Sequence, residues 1–225
     1  MICQQYHRTL ENVGQAALRA GRDPKDVRLM AVTKTVEVPR ILEAIEAGAA
    51  LLGENRVQEL ASKREHLPCE LHLIGHLQSN KAARAVACAD MIQSVDSLRI
   101  AREISNESIK QGKIMPVLFE VNIGRDPAKF GFMPEETARA LAEAALLPGI
   151  SVRGLMTIPP ISQCKARTTN FFSQMYALWL DIRAKKMDNI SMDILSMGMS
   201  DDFELAIAEG STLVRVGSAI FGGRA

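Results

Sequence analysis

Short apolar runs alternate with longer amphipathic stretches along almost the whole chain, and this alternation predicts strands and helices in turn. An amphipathic segment at residues 6–20 predicts a first helix. The apolar runs predict eight strands, at residues 28–34, 51–53, 71–75, 91–95, 115–121, 150–156, 192–195 and 212–216. Amphipathic segments after the first seven strands predict helices that end near residues 48, 65, 85, 110, 146, 186 and 209. Pro39 in a first turn, Gly48 after a last turn and Asp96 as an N-cap support these boundaries.

Apolar strands that alternate with helices indicate parallel strands covered by helices. Eight such strands favour a closed barrel over an open, doubly wound sheet. The open sheet also requires a glycine-rich phosphate loop after the first strand, where this chain has Val-Thr-Lys-Thr-Val at residues 32–36. A chain of 225 residues suits one large domain. We therefore expect an α/β protein, a single-domain (β/α)₈ TIM barrel over residues 1–225 with an additional N-terminal helix.

The composition argues against several classes of partner. Lysine and arginine total 27 and aspartate and glutamate 26, so the net charge of +1 gives no reason to expect nucleic acid or an anionic membrane. The four cysteines are scattered, and the sequence has no signal peptide pattern and no apolar stretch of membrane-spanning length. We expect a cytoplasmic protein. The residues between His72 and His76 belong to a predicted strand rather than a helix, so no metal site is expected.

Hydrogen-bonding residues stand at or just past the end of every predicted strand. They are Lys34, Asn55, His76, Ser94, Asn122, Thr157, Ser196 and Arg215. In (β/α)₈ barrels this end of the strands carries the active site. An amine at the rim of an apolar barrel, as at Lys34, can attack a carbonyl group. From its position alone, a lysine that extends into solvent is the favoured interpretation.

Two segments rich in glycine and serine follow the last two predicted strands, where barrels of this class commonly bind phosphate. Gly198 and Gly217 allow backbone N–H groups to approach an anion, and Ser200 and Ser218 add hydroxyl donors. These glycines could instead only form turns. Their convergence favours a phosphate site, and together with Lys34 it indicates a ligand that carries both an aldehyde and a phosphate.

Seven motifs carry a resemblance to a known family. They are AVTKT at residues 31–35, GENRVQE at 53–59, HLIGHLQSNK at 72–81, EVNIG at 120–124, GLMT at 154–157, LSMGMSDDFE at 195–204 and VRVGSAIFG at 214–222. The chain resembles the pyridoxal phosphate homeostasis proteins, single-domain relatives of the alanine racemase N-terminal barrel. The resemblance implies that Lys34 holds pyridoxal 5'-phosphate as a Schiff base. It implies further contacts to the phosphate from Ser200, Gly217 and Ser218, to the pyridine nitrogen from Arg215, and to the ring from Asn55 and Met197, with His76 lining the mouth.

The same resemblance implies a protein of vitamin B6 homeostasis that binds the cofactor and delivers it to apo-enzymes without robust catalysis. Arg215 can only donate hydrogen bonds, whereas most pyridoxal enzymes place a carboxylate at the ring nitrogen. Racemisation needs acid–base groups on both faces of the ring, and Lys34 supplies one. In the two-domain racemases a tyrosine of a further domain supplies the other, and we expect this chain, which ends at Ala225, to lack that domain. We expect a monomer or weak dimer.

Two alternatives stay open. The chain could be a weak pyridoxal phosphate-dependent amino-acid racemase, which requires a second base near the ring. It could also be a barrel aldolase for phosphorylated sugars, which keeps the Schiff-base lysine and needs no cofactor. Arg125 and Lys129, after the fifth predicted strand, either belong to a solvated turn or attract an anionic ligand such as a second, weaker cofactor site.

Overall fold

The computed structural model describes residues 1–223 and contains eight parallel strands closed into a barrel. The strands are β1 Arg28–Val32, β2 Leu51–Glu54, β3 Glu70–Leu73, β4 Met91–Val95, β5 Met115–Glu120, β6 Ile150–Met156, β7 Ile190–Ser196 and β8 Leu213–Val216. Pairing of β1 with both β2 and β8 closes the barrel. The predicted fold and all eight strands are confirmed. Residues 224 and 225, the last two of the predicted domain, lie outside the described residues.

Helices cover the outside of the barrel. They are α1 Ile2–Arg19, α2 Val38–Glu46, α3 Val57–Arg64, α4 Ala82–Cys88, α5 Leu98–Lys110, α6 Pro134–Ala144, α7 Lys165–Ala184, α8 Phe203–Ala208 and α9 Ser218–Phe221. The predicted N-terminal helix is confirmed, although it begins at Ile2, whose side chain is buried. The short helix α9 was not predicted. Within residues 1–223, no helix has the length and apolar character needed to cross a membrane.

Side chains of β1 alternate between the barrel interior and the layer under the helices. Met30 and Val32 point inward and pack with apolar side chains of neighbouring strands, while Leu29 and Ala31 belong to the larger cluster between barrel and helices. Thr33, which is fully buried, continues the outer set. Lys34 continues the inner set, and the alternation therefore directs it towards the mouth of the barrel.

One predicted helix cap is wrong. Helix α5 is capped by Ser97, whose side chain accepts a hydrogen bond from the backbone N–H of Ile100, and not by Asp96. Asp96 instead binds a histidine at the mouth of the barrel. The two other boundary signals hold, since Pro39 lies in the first turn of α2 and Gly48 follows its end with φ of +102°.

Candidate functional site

A cavity of about 900 Å³ opens at the carboxyl ends of the strands, a volume suited to a small-molecule ligand. Seven of the eight predicted site residues line it: Lys34, Asn55, His76, Ser200, Arg215, Gly217 and Ser218. The eighth prediction, Met197, is wrong. Its neighbour Ser196 points into the barrel, so Met197 points the other way and is fully buried in the cluster under the helices, out of reach of a ligand.

Lys34 stands between two residues that are fixed by hydrogen bonds. The Thr33 hydroxyl donates to Glu54 Oε1 over 2.6 Å. Thr35, with φ of +61°, donates its backbone N–H to Glu59 Oε2 over 2.8 Å. The Lys34 side chain itself is half-buried and makes no hydrogen bond within residues 1–223. Its amine is therefore held at the cavity wall without a competing partner.

The anion-binding end of the cavity joins the β7–α8 loop to the turn between β8 and α9. The Ser200 hydroxyl accepts a hydrogen bond of 3.3 Å from the backbone N–H of Gly217, which holds the two segments together. Ser218 and Ala219 are the first two residues of α9, and their backbone N–H groups donate no hydrogen bond within residues 1–223. These uncommitted donors, beside two serine hydroxyls, suit a phosphate group.

Gly198 allows the β7–α8 loop to fold this tightly. Its φ is +94°, and a Cβ atom there would lie 2.6 Å from the Cβ of Ala206 and 3.0 Å from the Cα of Phe203. A residue with a side chain would have both an unfavourable backbone conformation and a clash. This geometry accounts for Gly198 as a turn residue, and its predicted part in anion binding stays a prediction.

Arg215 lies on the floor of the cavity and is almost completely buried. Its Nη1 donates to the Ser196 hydroxyl over 2.6 Å, and its Nη2 donates to the carbonyl of Thr157 over 2.8 Å. Burial lowers the pKa of Arg215 to about 10, although the carboxylates of Glu120 and Asp202 act in the opposite direction. The guanidinium therefore remains charged at neutral pH and offers only donors to a ligand.

A chain of hydrogen bonds continues from the cavity floor through the barrel interior. The Ser196 hydroxyl donates to Gln93 Oε1 over 2.8 Å, and Gln93 Nε2 lies 2.8 Å from His72 Nδ1. His72 Nε2 donates to Glu70 Oε1 over 2.7 Å, and Arg28 donates to the other oxygen of that carboxylate. The hydrogen bond from His72 lowers the pKa of Glu70 to about 2, and Arg28 adds to the effect. These contacts give His72 a structural role in the barrel interior.

The opposite wall of the cavity contains an aromatic pair and an acid. His76 Nδ1 donates to Asp96 Oδ2 over 2.7 Å, and its ring stacks on Phe130 with centroids 3.7 Å apart and planes at 10°. Glu120 also lines the cavity, and its carboxylate has no hydrogen-bond partner within residues 1–223. Burial raises the pKa of Glu120 to about 7; Asp96 adds to the rise, whereas Arg215 and Lys129 oppose it.

Sequence reasoning missed three residues of this region. Gln93 lies inside a predicted apolar strand, and a polar side chain at such a position was the available signal. Glu120 ends the most apolar strand but was noted only as part of a motif. Phe130 carried no recognisable signal, because its position over His76 depends on how the loop after β5 folds back.

Arg125 and Lys129 do not line the cavity, and both have protein partners. Lys129 Nζ donates to the carbonyls of Ile158 and Pro159 over 3.1 and 2.9 Å, which ties the loop after β5 to the loop after β6. Arg125 pairs with Glu135 over 3.1 Å at the surface. These contacts account for both cations without an anionic ligand.

Comparison with known proteins gives consistent matches over the whole chain. Residues 7–225 match the family described as alanine racemase, N-terminal domain. A curated relative from Aquifex aeolicus, named pyridoxal phosphate homeostasis protein, is 37% identical over 225 residues, which cover 99% of this chain and 98% of the relative.

Two solved structures share the fold at similar identity. An unknown protein from Bifidobacterium adolescentis has a TM-score of 0.95 and 38% identity, with 98% of this chain and 94% of that chain covered. PipY of Synechococcus elongatus, whose structure has pyridoxal phosphate bound, has a TM-score of 0.84 and 34% identity, with 99% and 100% covered.

Proposed function

We propose that the chain binds pyridoxal 5'-phosphate in this cavity and serves vitamin B6 homeostasis. The chain belongs to the family of pyridoxal phosphate homeostasis proteins, which are built on the alanine racemase N-terminal domain. The observation that carries the proposal is that one cavity contains both an unpartnered lysine amine and a set of uncommitted anion donors. Pyridoxal phosphate supplies an aldehyde that condenses with amines, a ring that withdraws electrons, and a phosphate.

The residues present fit each part of this cofactor. The amine of Lys34 is available to form a Schiff base with the aldehyde. Ser200, Gly217 and Ser218 offer hydroxyl and backbone N–H donors to the phosphate. The apolar side chains that line the same cavity provide a wall for the ring; they are Val32, Ile74 and Phe221.

The finer part of the proposal is that the protein carries the cofactor and does not use it for robust catalysis. Arg215 can donate to the ring nitrogen but cannot keep it protonated, so electron withdrawal by the ring is not enhanced. Neither tyrosine of the chain is near the site. Tyr6 donates its hydroxyl to the carbonyl of Gly48 over 3.2 Å under α1, and Tyr176 stacks beside Trp179 on α7. Both are absent from the cavity lining.

The last part of the proposal is that the protein delivers the cofactor to apo-enzymes in the cytoplasm. It does so as a single domain that is a monomer or weak dimer. The cavity is open at the mouth of the barrel, and Lys34 and His76 are both partly exposed there. A partner protein or an amine can therefore reach the bound aldehyde carbon through this opening.

The deciding experiment is an absorbance spectrum of the wild type, Lys34→Ala and a surface control, Lys25→Ala, after addition of pyridoxal phosphate. We expect a visible band in the wild type and the control that borohydride traps as a modification of Lys34, and no such band in Lys34→Ala. Exchange of the α-proton of L-alanine in D₂O, measured on the same samples, should not exceed that of the free cofactor. A protein that takes up no pyridoxal phosphate would contradict the proposal.

Glu120 supports a second candidate, a weak pyridoxal phosphate-dependent amino-acid racemase. In a barrel of eight strands β5 stands opposite β1, so Glu120 and Lys34 reach the mouth from opposite sides. A carboxyl group with a pKa of about 7 can accept and donate a proton near neutral pH. Exchange above the background that disappears in Glu120→Gln, with accumulation of D-alanine, would favour the racemase. A colourless protein that cleaves a phosphorylated sugar would instead favour the barrel aldolase.

A further inference from the structure

We propose that Lys63, acting with Glu59, is a positioning residue for Lys34: it fixes the residues on both sides of Lys34 so that the amine is directed into the cavity. The inference rests on the proposed function, since it concerns how Lys34 meets its carbonyl partner. It is carried by a polar cluster of Thr33, Glu54, Glu59 and Lys63 between β1, β2 and α3, none of which lines the cavity. No motif-based expectation assigned a role to Lys63.

The ammonium group of Lys63 has three acceptors. Its Nζ lies 2.7 Å from Glu54 Oε1, 2.9 Å from the carbonyl oxygen of Thr33 and 3.5 Å from Glu59 Oε2. Its side chain is 9% exposed and that of Glu54 is fully buried. An ammonium group has three N–H donors, and this cluster provides one acceptor for each of them.

The cluster acts on Thr33, the residue before Lys34. The backbone N–H of Thr33 donates to the carbonyl of Gly53 over 2.9 Å, and its hydroxyl donates to Glu54. Its carbonyl accepts from Lys63 and also from the backbone N–H of Val36, over 3.0 Å. Every polar group of Thr33 is therefore engaged, and the direction in which the chain leaves β1 is set.

Thr35, the residue after Lys34, is held in an unfavourable conformation. The hydrogen bond from Val36 to Thr33 closes a four-residue turn, and Thr35 occupies its third position with φ of +61°. Glycine or asparagine is usual at such a position, and a β-branched residue is strained there. Strain of this kind persists only where surrounding contacts enforce it. Here the contact is the bond from the Thr35 N–H to Glu59.

Stability alone does not explain the cluster. Burial raises the pKa of Glu54 in spite of its hydrogen bonds to Lys63 and Thr33, and Glu54 Oε2 is buried with no hydrogen-bond partner among residues 1–223. Apolar residues of similar size often replace a buried ion pair with no loss of stability. Apolar residues could not make the hydrogen bonds to Thr33 and Thr35, and these hydrogen bonds determine where Lys34 points.

The test compares Lys63→Met and Glu59→Ala with Glu59→Gln, whose amide oxygen can still accept from Thr35. Lys110→Met is the matched control, because Lys110 pairs with Glu107 over 2.6 Å on the exposed surface of α5. The first readout, on the protein without cofactor, is hydrogen exchange of the Thr35 N–H. The second is the rate at which the visible band forms after pyridoxal phosphate is added. The third is labelling of Lys34 by formaldehyde and a borohydride reagent, which needs little orientation of the amine.

We expect faster exchange at Thr35 and about tenfold slower formation of the band in Lys63→Met and Glu59→Ala, with formaldehyde labelling nearly unchanged. Glu59→Gln and Lys110→Met should behave as the wild type. Unchanged exchange and an unchanged rate in Lys63→Met would overturn the inference. If Lys63→Met does not fold, Glu59→Ala decides in the same way, since the Glu59 side chain is 25% exposed. A wild type that forms no band would refute the proposed function, while exchange at Thr35 would still test the positioning cluster.

Discussion

The Arg215 guanidinium and the Ser196 hydroxyl are joined by a 2.6 Å hydrogen bond at the floor of the cavity. Because Ser196 donates in turn to Gln93, the orientation of Arg215 depends on a residue of β4 on the other side of the barrel. With Gln93 donating to His72 Nδ1, the donors run in one direction from Arg215 to Glu70. This direction requires a neutral His72 that carries its proton on Nε2. Within the described part of the chain, Arg215 is thus held by an interior chain of hydrogen bonds and not by a carboxylate partner.

Gln93→Leu should interrupt this chain. The Ser196 hydroxyl would lose its acceptor and His72 Nδ1 its donor inside the barrel, and we expect the free energy of unfolding to fall by about 2–4 kcal/mol. Affinity for pyridoxal phosphate should fall as well, because Arg215 loses its fixed orientation. Urea unfolding and an absorbance titration measure the two effects. Gln111→Leu, the same change at an exposed position, is the control, and equal losses in both variants would contradict the prediction.

Glu120→Gln should change how the stability of the cofactor-free protein depends on pH. The folded-state pKa of about 7 lies above the ordinary 4.5, so the folded protein binds this proton more tightly than the unfolded chain. The wild type therefore loses stability as pH rises from 4.5 to about 7, by at most about 3 kcal/mol. Glutamine does not titrate, so the variant should lack this loss.

The measurement for Glu120 is urea unfolding of the wild type and the variant on either side of that window, at about pH 4 and pH 8. Glu135→Gln is the control, since Glu135 is an exposed partner of Arg125 at the surface. Parallel stability curves for the wild type and Glu120→Gln would mean that Glu120 is not protonated near neutral pH.

Glu70→Gln should affect the acid side of the stability curve. His72 and Arg28 lower the folded-state pKa of Glu70 from 4.5 to about 2, so the stabilisation is complete above 4.5 and is lost as pH falls towards 2. The variant has no such ionisation and should lose less stability over this interval. Acid unfolding followed by circular dichroism provides the comparison. A variant as acid-sensitive as the wild type would show that Glu70 contributes nothing to the acid transition.

Gly198→Ala should damage both the fold and the anion-binding end of the cavity. The added Cβ would meet Ala206 at 2.6 Å in addition to the unfavourable φ, and we expect a loss of about 3 kcal/mol. Gly21→Ala is the matched control, because Gly21 has φ of +69° with nothing within 4 Å of the added atom, and should lose only about 1 kcal/mol. Thermal unfolding and affinity for pyridoxal phosphate are the readouts. Similar losses at the two positions would rule out crowding at Gly198.

The barrel and most of the site residues followed from local features of the sequence. Apolar strands alternating with helices left little choice of fold, and in that fold the ends of the strands converge. Lys34, Asn55, His76 and Arg215 could therefore be placed together from their positions alone. The glycine- and serine-rich segments after the last two strands added Ser200, Gly217 and Ser218 as anion donors, and the family resemblance assigned them to the phosphate of pyridoxal 5'-phosphate.

The wrong and missing predictions concern residues whose role depends on the direction of the side chain or on a partner that is distant in the sequence. Met197 follows Ser196, whose side chain faces the barrel interior. Because successive side chains of a strand alternate in direction, Met197 points into the layer between the barrel and the helices. Asp96 is of a residue type that commonly caps helices, but His76, which follows the neighbouring strand β3, binds it instead. Lys63 appears in the sequence as an ordinary lysine of an amphipathic helix, and its role is visible only when α3 packs over the end of β1.

The pairing of β1 with β8 joins the two ends of the chain, and it is this pairing that brings Lys34 beside Gly217. A nascent or truncated chain without its last strand has the lysine but lacks the donors for the phosphate. Contacts between such distant segments form late, since closing a long loop is slow. Only chains with a closed barrel therefore retain the ligand, and ligand binding shifts the folding equilibrium towards the closed barrel.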